Sequence, residues 1–151
     1  MEFIRDPKLR DAKKALWNNR MIQDLKEEFT EKLEKGIEFH IKIDEINLDE
    51  ELYEHARYVA ATYDWLGFIL DEDDDLQEKM MDTHGDTIAA MWKMLARIVT
   101  EKFRAGDQGC YASMFEKIGT KALTRHPSAR HTPLLKRDDG HLVDSHGTVW
   151  D

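Results

Sequence analysis

The sequence contains very little cysteine, since Cys110 is the only one among its 151 residues. A single thiol cannot form an intrachain disulfide, and it cannot build a zinc site that needs several cysteines. Proteins that do not rely on disulfides are typical of reducing compartments. We therefore expect a cytoplasmic protein whose core is stable without covalent cross-links.

Long hydrophobic runs are also missing. The longest is WLGFIL, residues 65–70, whereas a helix that crosses a membrane needs about 20 apolar residues. The opening segment, MEFIRDPKLRDAKK, is charged from its second residue and does not resemble a signal peptide. These features predict a protein that does not insert directly into a membrane.

Basic residues are in the minority. The 22 Lys and Arg residues stand against 31 Asp and Glu residues, which gives a formal net charge of −9. An acidic protein repels the phosphates of DNA and RNA unless a basic patch offsets its charge. The basic residues are interleaved with acidic ones throughout, so we expect no nucleic-acid partner.

The sequence also lacks the signatures of common catalytic sites. It has no G-x-S-x-G nucleophile elbow, no H-E-x-x-H motif and no adjacent His-Asp pair of the two-metal phosphohydrolase type. Its eight glycines are scattered rather than grouped in a phosphate-binding loop. Cys110 follows Gly109 near a predicted helix start, which can make a thiol more reactive, but its neighbours are not strongly basic. The sequence therefore assigns no catalytic residue, no cofactor-binding residue and no metal ligand.

What the sequence does contain is helical periodicity. Apolar residues make up 41% of the chain and recur every three to five positions, as expected for helices with one buried face. Asp6-Pro7 is typical of a helix start and Gly36 of a helix end. The pattern predicts an all-α domain over residues 1–126, an irregular bundle of four to five helices. A loose, irregular tail is predicted over residues 127–151.

The boundaries of the predicted helices follow from caps and glycines. Asn18-Asn19 either divides the first helical segment into two helices or lies within a single helix. Asn47 or Asp49 caps the next helix. The later helices are predicted at about residues 49–70, 75–83, 87–105 and 109–125, with Gly85 and Gly106 as helix ends.

Residues 36–46, GIEFHIKIDEI, follow a different rhythm. Ile37, Phe39, Ile41 and Ile43 alternate with polar residues, as they would in a strand. A single strand has nothing to pair with in a helical chain. The segment is therefore an extended connector or a strand that pairs with a second copy of the chain, and the helical alternative stays open.

The acidic stretch DEDDDLQEKMMD, residues 71–82, resembles a calcium-binding loop in the spacing of its acids. A calcium-binding loop of this type needs glycine at its sixth position and glutamate at its twelfth, where this chain has Leu76 and Asp82. Acidic residues that precede a helix also complement the positive end of the helix dipole. We therefore interpret residues 71–75 as a solvated turn between two helices.

A competing hypothesis uses Asp71, Asp73, His84 and Asp86 as a metal site. Such a site would make the chain a metal-dependent hydrolase or nuclease. It requires that the four side chains converge within ligand distance of one ion, which a structure can test.

The other polar residues of interest have simpler explanations. Glu51 and His55 are four residues apart on one helix, where a side-chain pair is favoured over a metal site. Asp64 lies beside a predicted buried stripe, so it is expected to cap a helix, to pair with Arg97 or Lys93, or to face water. Near the end of the chain, a polar terminus is the favoured interpretation of Asp138, Asp139, His141, Asp144 and His146.

Three segments carry a resemblance to a known family: ARYVAATYDWLGFIL, GDTIAAMWKMLARIVTEKFRAG and YASMFEKIGTKAL. With the opening DPKLRDAKKALW, they resemble a bacterial helical family that is catalogued as a domain of unknown function. The resemblance covers most of residues 5–123 and implies a helical fold. Many members of that family have an N-terminal membrane-spanning helix, which this sequence does not show, and the family brings no established activity. The residues that carry the match are Tyr63, Asp64, Trp65, Gly67, Trp92, Arg104 to Gly106, Phe115 and Glu116.

Taken together, these patterns favour a binding protein over an enzyme, because a well-patterned helical body lacks a credible catalytic set. We expect a non-enzymatic module that self-associates or binds a protein partner through an aromatic-rich helix face. The metal-dependent hydrolase or nuclease is the alternative. A surface-membrane accessory that docks on an anchored partner is a third hypothesis.

Overall fold

The computed structural model describes residues 6–105, 109–125, 135–136 and 142–143. These residues form five α-helices, so the prediction of an all-α bundle is confirmed. The helices are α1 (Pro7–Trp17), α2 (Arg20–Lys35), α3 (Glu50–Asp71), α4 (Asp74–Ile98) and α5 (Ser113–Arg125). A 3-10 turn, Ile43–Glu45, precedes α3, and a π-helical turn, Val99–Phe103, continues α4. Two short strands, β1 (Leu135–Lys136) and β2 (Leu142–Val143), pair antiparallel with Leu135 opposite Val143.

The starts of α1 and α3 follow from capping carboxylates. Asp6 accepts a hydrogen bond from a backbone N–H of the first turn at 3.0 Å, and Pro7 occupies the first helical position, where its missing N–H costs nothing. Asp49, rather than Asn47, caps α3 and accepts from the Leu52 N–H at 2.7 Å. Both carboxylates also complement the positive end of the helix dipole.

The junction of α1 and α2 settles a boundary that the sequence left open. The Asn19 side chain accepts from the Ile22 N–H at 3.1 Å and caps α2, so Asn18-Asn19 separates two helices. Gly36 ends α2 with a φ of 69°, a left-handed conformation that glycine adopts without steric cost.

The prediction of two helices separated at Gly85 is wrong, because α4 is one continuous helix. Gly85 is buried on the same face as Met81 and Ile88, so the apolar stripe continues in phase through it. A glycine inside a helix costs about 1 kcal/mol, and burial of the stripe on both sides outweighs that cost. The predicted helix end at Gly106 lies outside the described residues.

α4 is the central helix of the bundle. It packs against α2, α3 and α5, while α1 packs against α2 and α3, and α5 also packs against α3. Every residue from Ile88 to Val99 is buried. The predicted stripes supply most of the core, with the exception of Leu33, which is 54% exposed at the end of α2.

Two glycines allow α5 to approach its neighbours closely. A Cβ on Gly119 would lie 2.6 Å from the Cβ of Trp92 on α4. A Cβ on Gly67 of α3 would lie 2.5 Å from the backbone oxygen of Met114. Protein interiors are too densely packed to absorb overlaps of this size without moving a helix, so α5 has its position only with glycine at both sites.

Residues 36–46 form an extended connector that includes the 3-10 turn. Two charged side chains bind its backbone. Glu28 accepts hydrogen bonds from the His40 N–H at 2.7 Å and the Ile41 N–H at 2.9 Å, and Arg97 donates to the Ile41 carbonyl at 2.5 Å. These side chains supply partners that a neighbouring strand would otherwise provide.

Most of the predicted tail, residues 127–151, lies outside the described residues, with β1 and β2 as the exceptions. The domain limit predicted at residue 126 therefore stays a prediction. Within the described part of the chain, none of the helices combines the length and the hydrophobicity that crossing a membrane requires.

Candidate binding surface

Trp65 and Phe68 are the two most exposed aromatic side chains on α3. Trp65 is 62% exposed and Phe68 is 53% exposed, and their rings are stacked with centroids 5.7 Å apart and planes 13° apart. The two residues are three positions apart, so they share one helix face. Large apolar side chains that are grouped on a surface commonly mark an interaction site.

Sequence reasoning singled out Trp65 but missed Phe68 and the pairing of the two. The signal was present, because both residues fall between the positions of the buried stripe formed by Tyr63, Leu66 and Leu70. An apolar residue off the stripe faces outward, and two of them three positions apart form a patch. Because the run WLGFIL is apolar throughout, its sequence does not separate the buried positions from the exposed ones.

The aromatic pair borders a groove beside α3. The first part encloses about 350 Å³ and is lined by Ala61, Trp65 and Phe68 together with the turn 110–112. The second part encloses about 680 Å³ between α1 and α3. The two parts share Ala61 and Tyr111, so they adjoin, and we call them together the α3 groove. The second part is also lined by Lys8, Asp11, Glu54, Arg57 and Tyr58.

The α3 groove is elongated. Its lining residues on α3 run from Glu54 to Phe68, which corresponds to about 21 Å along the helix axis. The end near Trp65 is mostly apolar, with Asp64 as its one charged residue, whereas the end near Glu54 carries several charges of both signs. A long cleft with one apolar end suits an extended or helical peptide better than a compact small molecule.

Asp64 fixes the turn that forms one wall of the groove. Its Oδ1 atom accepts hydrogen bonds from the backbone N–H groups of Met114 at 2.9 Å and Phe115 at 3.0 Å. The first N–H groups of a helix have no partner within the helix, so Asp64 caps α5 from the neighbouring helix α3. Of the three roles expected for Asp64, the structure shows helix capping.

The wall itself is a strained turn. Ala112 has a φ of 58°, which is uncommon for a residue with a side chain. Arg104 holds the turn, since it donates to the Tyr111 carbonyl at 2.7 Å and pairs with Glu116 at 2.8 Å. Such strain persists where surrounding contacts fix the backbone. As a result α5 begins one turn later than the predicted start at Gly109.

Arg57 lies at the wider part of the groove within a group of aromatic rings. Its guanidinium carbon is 5.0 to 5.7 Å from the ring centroids of Tyr53, Phe103 and Tyr111, an arrangement that stabilises the positive charge. A hydrogen bond to the Tyr53 hydroxyl raises the pKa of Arg57, and burial raises the pKa of Tyr111. Arg57 therefore keeps its positive charge at an end of the groove that Asp11 and Glu54 also line.

The acidic residues 71–75 lie at the junction of α3 and α4, where all five are exposed. Asp73 caps α4 and accepts from the Leu76 N–H at 3.0 Å. Asp71 pairs with Lys117 of α5 at 2.5 Å. These contacts are those of a turn between helices, as interpreted from the sequence.

The four residues of the metal hypothesis are not brought together. Asp71 ends α3 and Asp73 caps α4, whereas His84 lies eleven residues beyond Asp73, about 16 Å along the helix. The Asp86 carboxylate accepts a hydrogen bond from the neighbouring backbone N–H. Within residues 6–105 and 109–125, no group of three or more His, Cys, Asp or Glu side chains has the geometry to hold an ion.

The remaining polar candidates are accounted for individually. His55 lies 3.6 Å from Glu51, the side-chain pair expected from their spacing. The acidic and histidine residues near the end of the chain, Asp138, Asp139, His141, Asp144 and His146, all lie outside the described residues. Cys110 is exposed and lines the apolar part of the α3 groove.

The chain matches no protein-family model, and comparisons with curated proteins and with solved structures find no significant similarity. The resemblance to the bacterial helical family therefore stays a prediction. Three of the residues that carry it do pack together, since the Phe115 ring lies 5.5 Å from that of Tyr63 and 5.1 Å from that of Trp92. Their role in this chain is structural, and the α3 groove is the surface from which a function can be assigned.

Proposed function

We propose that the chain is a non-enzymatic binding module that engages another protein through the α3 groove. The observation that carries this proposal is the stacked, exposed pair of Trp65 and Phe68 at the apolar end of the groove. Aromatic side chains of this kind supply much of the binding energy at protein interfaces.

The rigidity of the surface supports the proposal. The helix that carries the pair is fixed to α5 by the Asp64 cap and by the close contact between Gly67 and Met114. A surface that is already ordered loses little conformational entropy when it binds. The pair is therefore presented in a form that needs no rearrangement.

The metal-dependent hydrolase or nuclease has no geometric support among the described residues. Its acids at the α3–α4 junction are separated from His84 and Asp86 by about three turns of α4. A binding role needs only the exposed face and the groove, which the chain presents together.

Affinity capture with matched variants tests the binding role. Trp65→Ala/Phe68→Ala removes the aromatic pair, and Leu33→Ala/Ile43→Ala removes two exposed apolar side chains elsewhere as a control. We expect a partner retained by the wild type and the control to be retained at least about tenfold less by the aromatic variant. Circular dichroism should show that both variants stay folded, because all four side chains are exposed.

Two outcomes contradict the proposal. In the first, the aromatic variant retains the same proteins as the wild type in the same amounts. In the second, the wild-type chain retains no protein and sediments as a monomer at all concentrations.

A further inference from the structure

We infer that the partner presents a basic amphipathic helix, with apolar side chains against Trp65 and Phe68 and with lysine or arginine side chains toward residues 71–75. This inference rests on the proposed binding function, and it adds the chemical character of the partner segment that binds in the groove. It assigns the α3 groove to a helix of another protein rather than to a second copy of this chain, and it places the basic residues of that helix at the end near Trp65 and Phe68, because the other end already carries Lys8 and Arg57.

Negative charge continues the aromatic face at the end of α3. Glu72 follows Phe68 by four residues, which places it one turn further along the same face. Within the described residues, Asp71 is the only acid of the range 71–75 that has an ion pair. Glu72, Asp74 and Asp75 have no ion pair among the described residues, and all three are exposed at the junction that follows the aromatic pair along the chain.

The dimensions of the groove fit a helix. Its length of about 21 Å corresponds to about 14 residues of α-helix. A helix that binds in a groove anchors itself through apolar residues spaced three or four apart, which matches the spacing of Trp65 and Phe68. Basic residues next to those anchors would then face the acids at the end of α3.

Charge also decides between occupants. The formal net charge of −9 makes two copies of the chain repel one another, and it opposes binding to anionic lipid surfaces. A cationic segment is attracted by the same field. Charges of opposite sign at an interface raise the association rate and select the partner.

Two synthetic peptides of about 14 residues, added to the full chain, test the inference. Both carry leucine at the same positions, three or four apart, and the remaining positions are lysine in one peptide and glutamate in the other. We expect the lysine peptide to bind at least about tenfold more tightly than the glutamate peptide. Its affinity should fall as ionic strength rises from about 0.05 to 0.5 M.

Cys110 reports where the peptide binds. It is the only cysteine in the chain, it is exposed, and it lines the apolar part of the groove. Bound lysine peptide should slow alkylation of this thiol. An alkylation rate that is unchanged at saturating peptide would place the peptide elsewhere and overturn the inference.

Matched variants separate the contribution of charge from that of the aromatic pair. Glu72→Lys/Asp75→Lys should weaken binding of the lysine peptide at least about tenfold. Asp44→Lys/Glu45→Lys makes the same change in net charge at exposed positions of the connector, and it should have a much smaller effect. Trp65→Ala/Phe68→Ala should weaken binding of the lysine peptide as well.

These outcomes test the binding function and the basic character of the partner helix separately. If both charge-reversal variants have equal effects while the aromatic variant still loses its partner, the basic helix is wrong and the binding function stands. If neither peptide protects Cys110 and the aromatic variant captures proteins as the wild type does, both are wrong. If the molecular mass of the chain in solution rises with protein concentration, and only when Trp65 and Phe68 are present, the groove binds a second copy of the chain. That result would overturn the inference of a basic partner.

Discussion

Lys26 is a buried cation without a hydrogen-bond partner. Its side chain is fully buried, and within the described structure its Nζ atom meets no acceptor. The nearest stabilising contact is the ring of Trp17, whose centroid lies 4.6 Å away. Burial lowers the pKa of Lys26 to about 8, the negative charge of Glu27 opposes this shift, and the positive charge of Lys93 adds to it.

This pKa predicts how stability depends on pH. An unfolded lysine has a pKa near 10.5, so between pH 8 and pH 10.5 the unfolded chain binds more protons than the folded one. Below pH 8 the cost of burying the charged Lys26 therefore lowers the free energy of unfolding by its full amount. As the pH rises to 10.5, this cost disappears and the free energy of unfolding increases. Lys26→Met should raise the free energy of unfolding by about 2–3 kcal/mol at pH 7, and this gain should shrink toward pH 10.5.

Urea unfolding of the wild type and the variant across this pH range measures the effect. Lys79→Met, at an exposed position of α4, is the control and should change stability by less than about 0.5 kcal/mol. A gain for Lys26→Met that stays constant from pH 7 to pH 10.5 would contradict the explanation based on a buried charge.

Other single residues show what sequence can and cannot reveal. The cap at Asp6 was predicted because a capping side chain and its N–H groups are neighbours in the chain, whereas the break at Asn18-Asn19 was left open. Asp64 was recognised only as one of three alternatives, since its partners at the start of α5 are 50 and 51 residues away. Nothing in the sequence indicated that Lys26 is buried, because lysine is mostly exposed in proteins.

At the scale of elements, the connector between α2 and α3 depends on one buried ion pair. The Arg97 and Glu28 side chains are 7% and 13% exposed and lie 3.6 Å apart, and both bind the backbone near Ile41. Arg97 also pairs with Glu101 at 2.5 Å and lies 4.6 Å from the centre of the Phe39 ring. Removing Arg97 leaves the Glu28 carboxylate without its ion pair, whereas removing Glu28 leaves Arg97 with Glu101 as its remaining partner.

We expect Arg97→Ala to lower the free energy of unfolding by about 3–5 kcal/mol, and Glu28→Ala to lower it by less, because Arg97 then keeps its pair with Glu101. The double variant should cost less than the sum of the two, because both single changes remove the same interaction between Glu28 and Arg97. Urea unfolding of the three variants measures this coupling. Glu38→Ala, which breaks the exposed pair with Lys32, is the control and should cost less than about 1 kcal/mol.

The position of α5 makes a second prediction at this scale. Gly119→Ala places a Cβ against Trp92, so α5 must move or a ring must leave its place, at a cost of about 1–3 kcal/mol or more. Gly109→Ala meets no atom within 4 Å and should be nearly neutral. Thermal unfolding compares the two, and equal melting temperatures would mean that α5 tolerates a wider spacing.

The elements that sequence described poorly are those that depend on distant partners. Gly85 looked like a helix end because glycine is a common local stop signal, but burial of both flanking stripes decided the outcome. The alternating rhythm of residues 36–46 fitted three conformations, and the choice depended on Glu28 and Arg97, which come from two different helices. Local patterns thus predicted an all-α bundle of four to five helices, while long-range contacts decided the continuity of α4 and the conformation of the connector.

At the scale of the whole molecule, α4 holds the bundle together. It contacts three of the other helices, and its residues from Ile88 to Val99 are all buried. Regions with the most buried contacts open only when the whole domain unfolds. We therefore expect the slowest amide hydrogen exchange in the second half of α4, with faster exchange in α1 and in the connector.

Exchange measured by nuclear magnetic resonance at several urea concentrations tests this order. The slowest amides of α4 should exchange with the same free energy as global unfolding. If amides of α1 exchanged more slowly than those around Leu95, the bundle would have a different stable centre.

The walls of the α3 groove come from α1, from α3 and from the turn before α5, so they meet only when the chain has folded. A peptide cut from α3 alone would carry both aromatic rings but none of the opposing walls. Recognition and folding are thus coupled equilibria, and any genuine occupant must raise the melting temperature as its concentration increases. Candidate ligands can therefore be screened by thermal shift alone, without a label and before any activity is known.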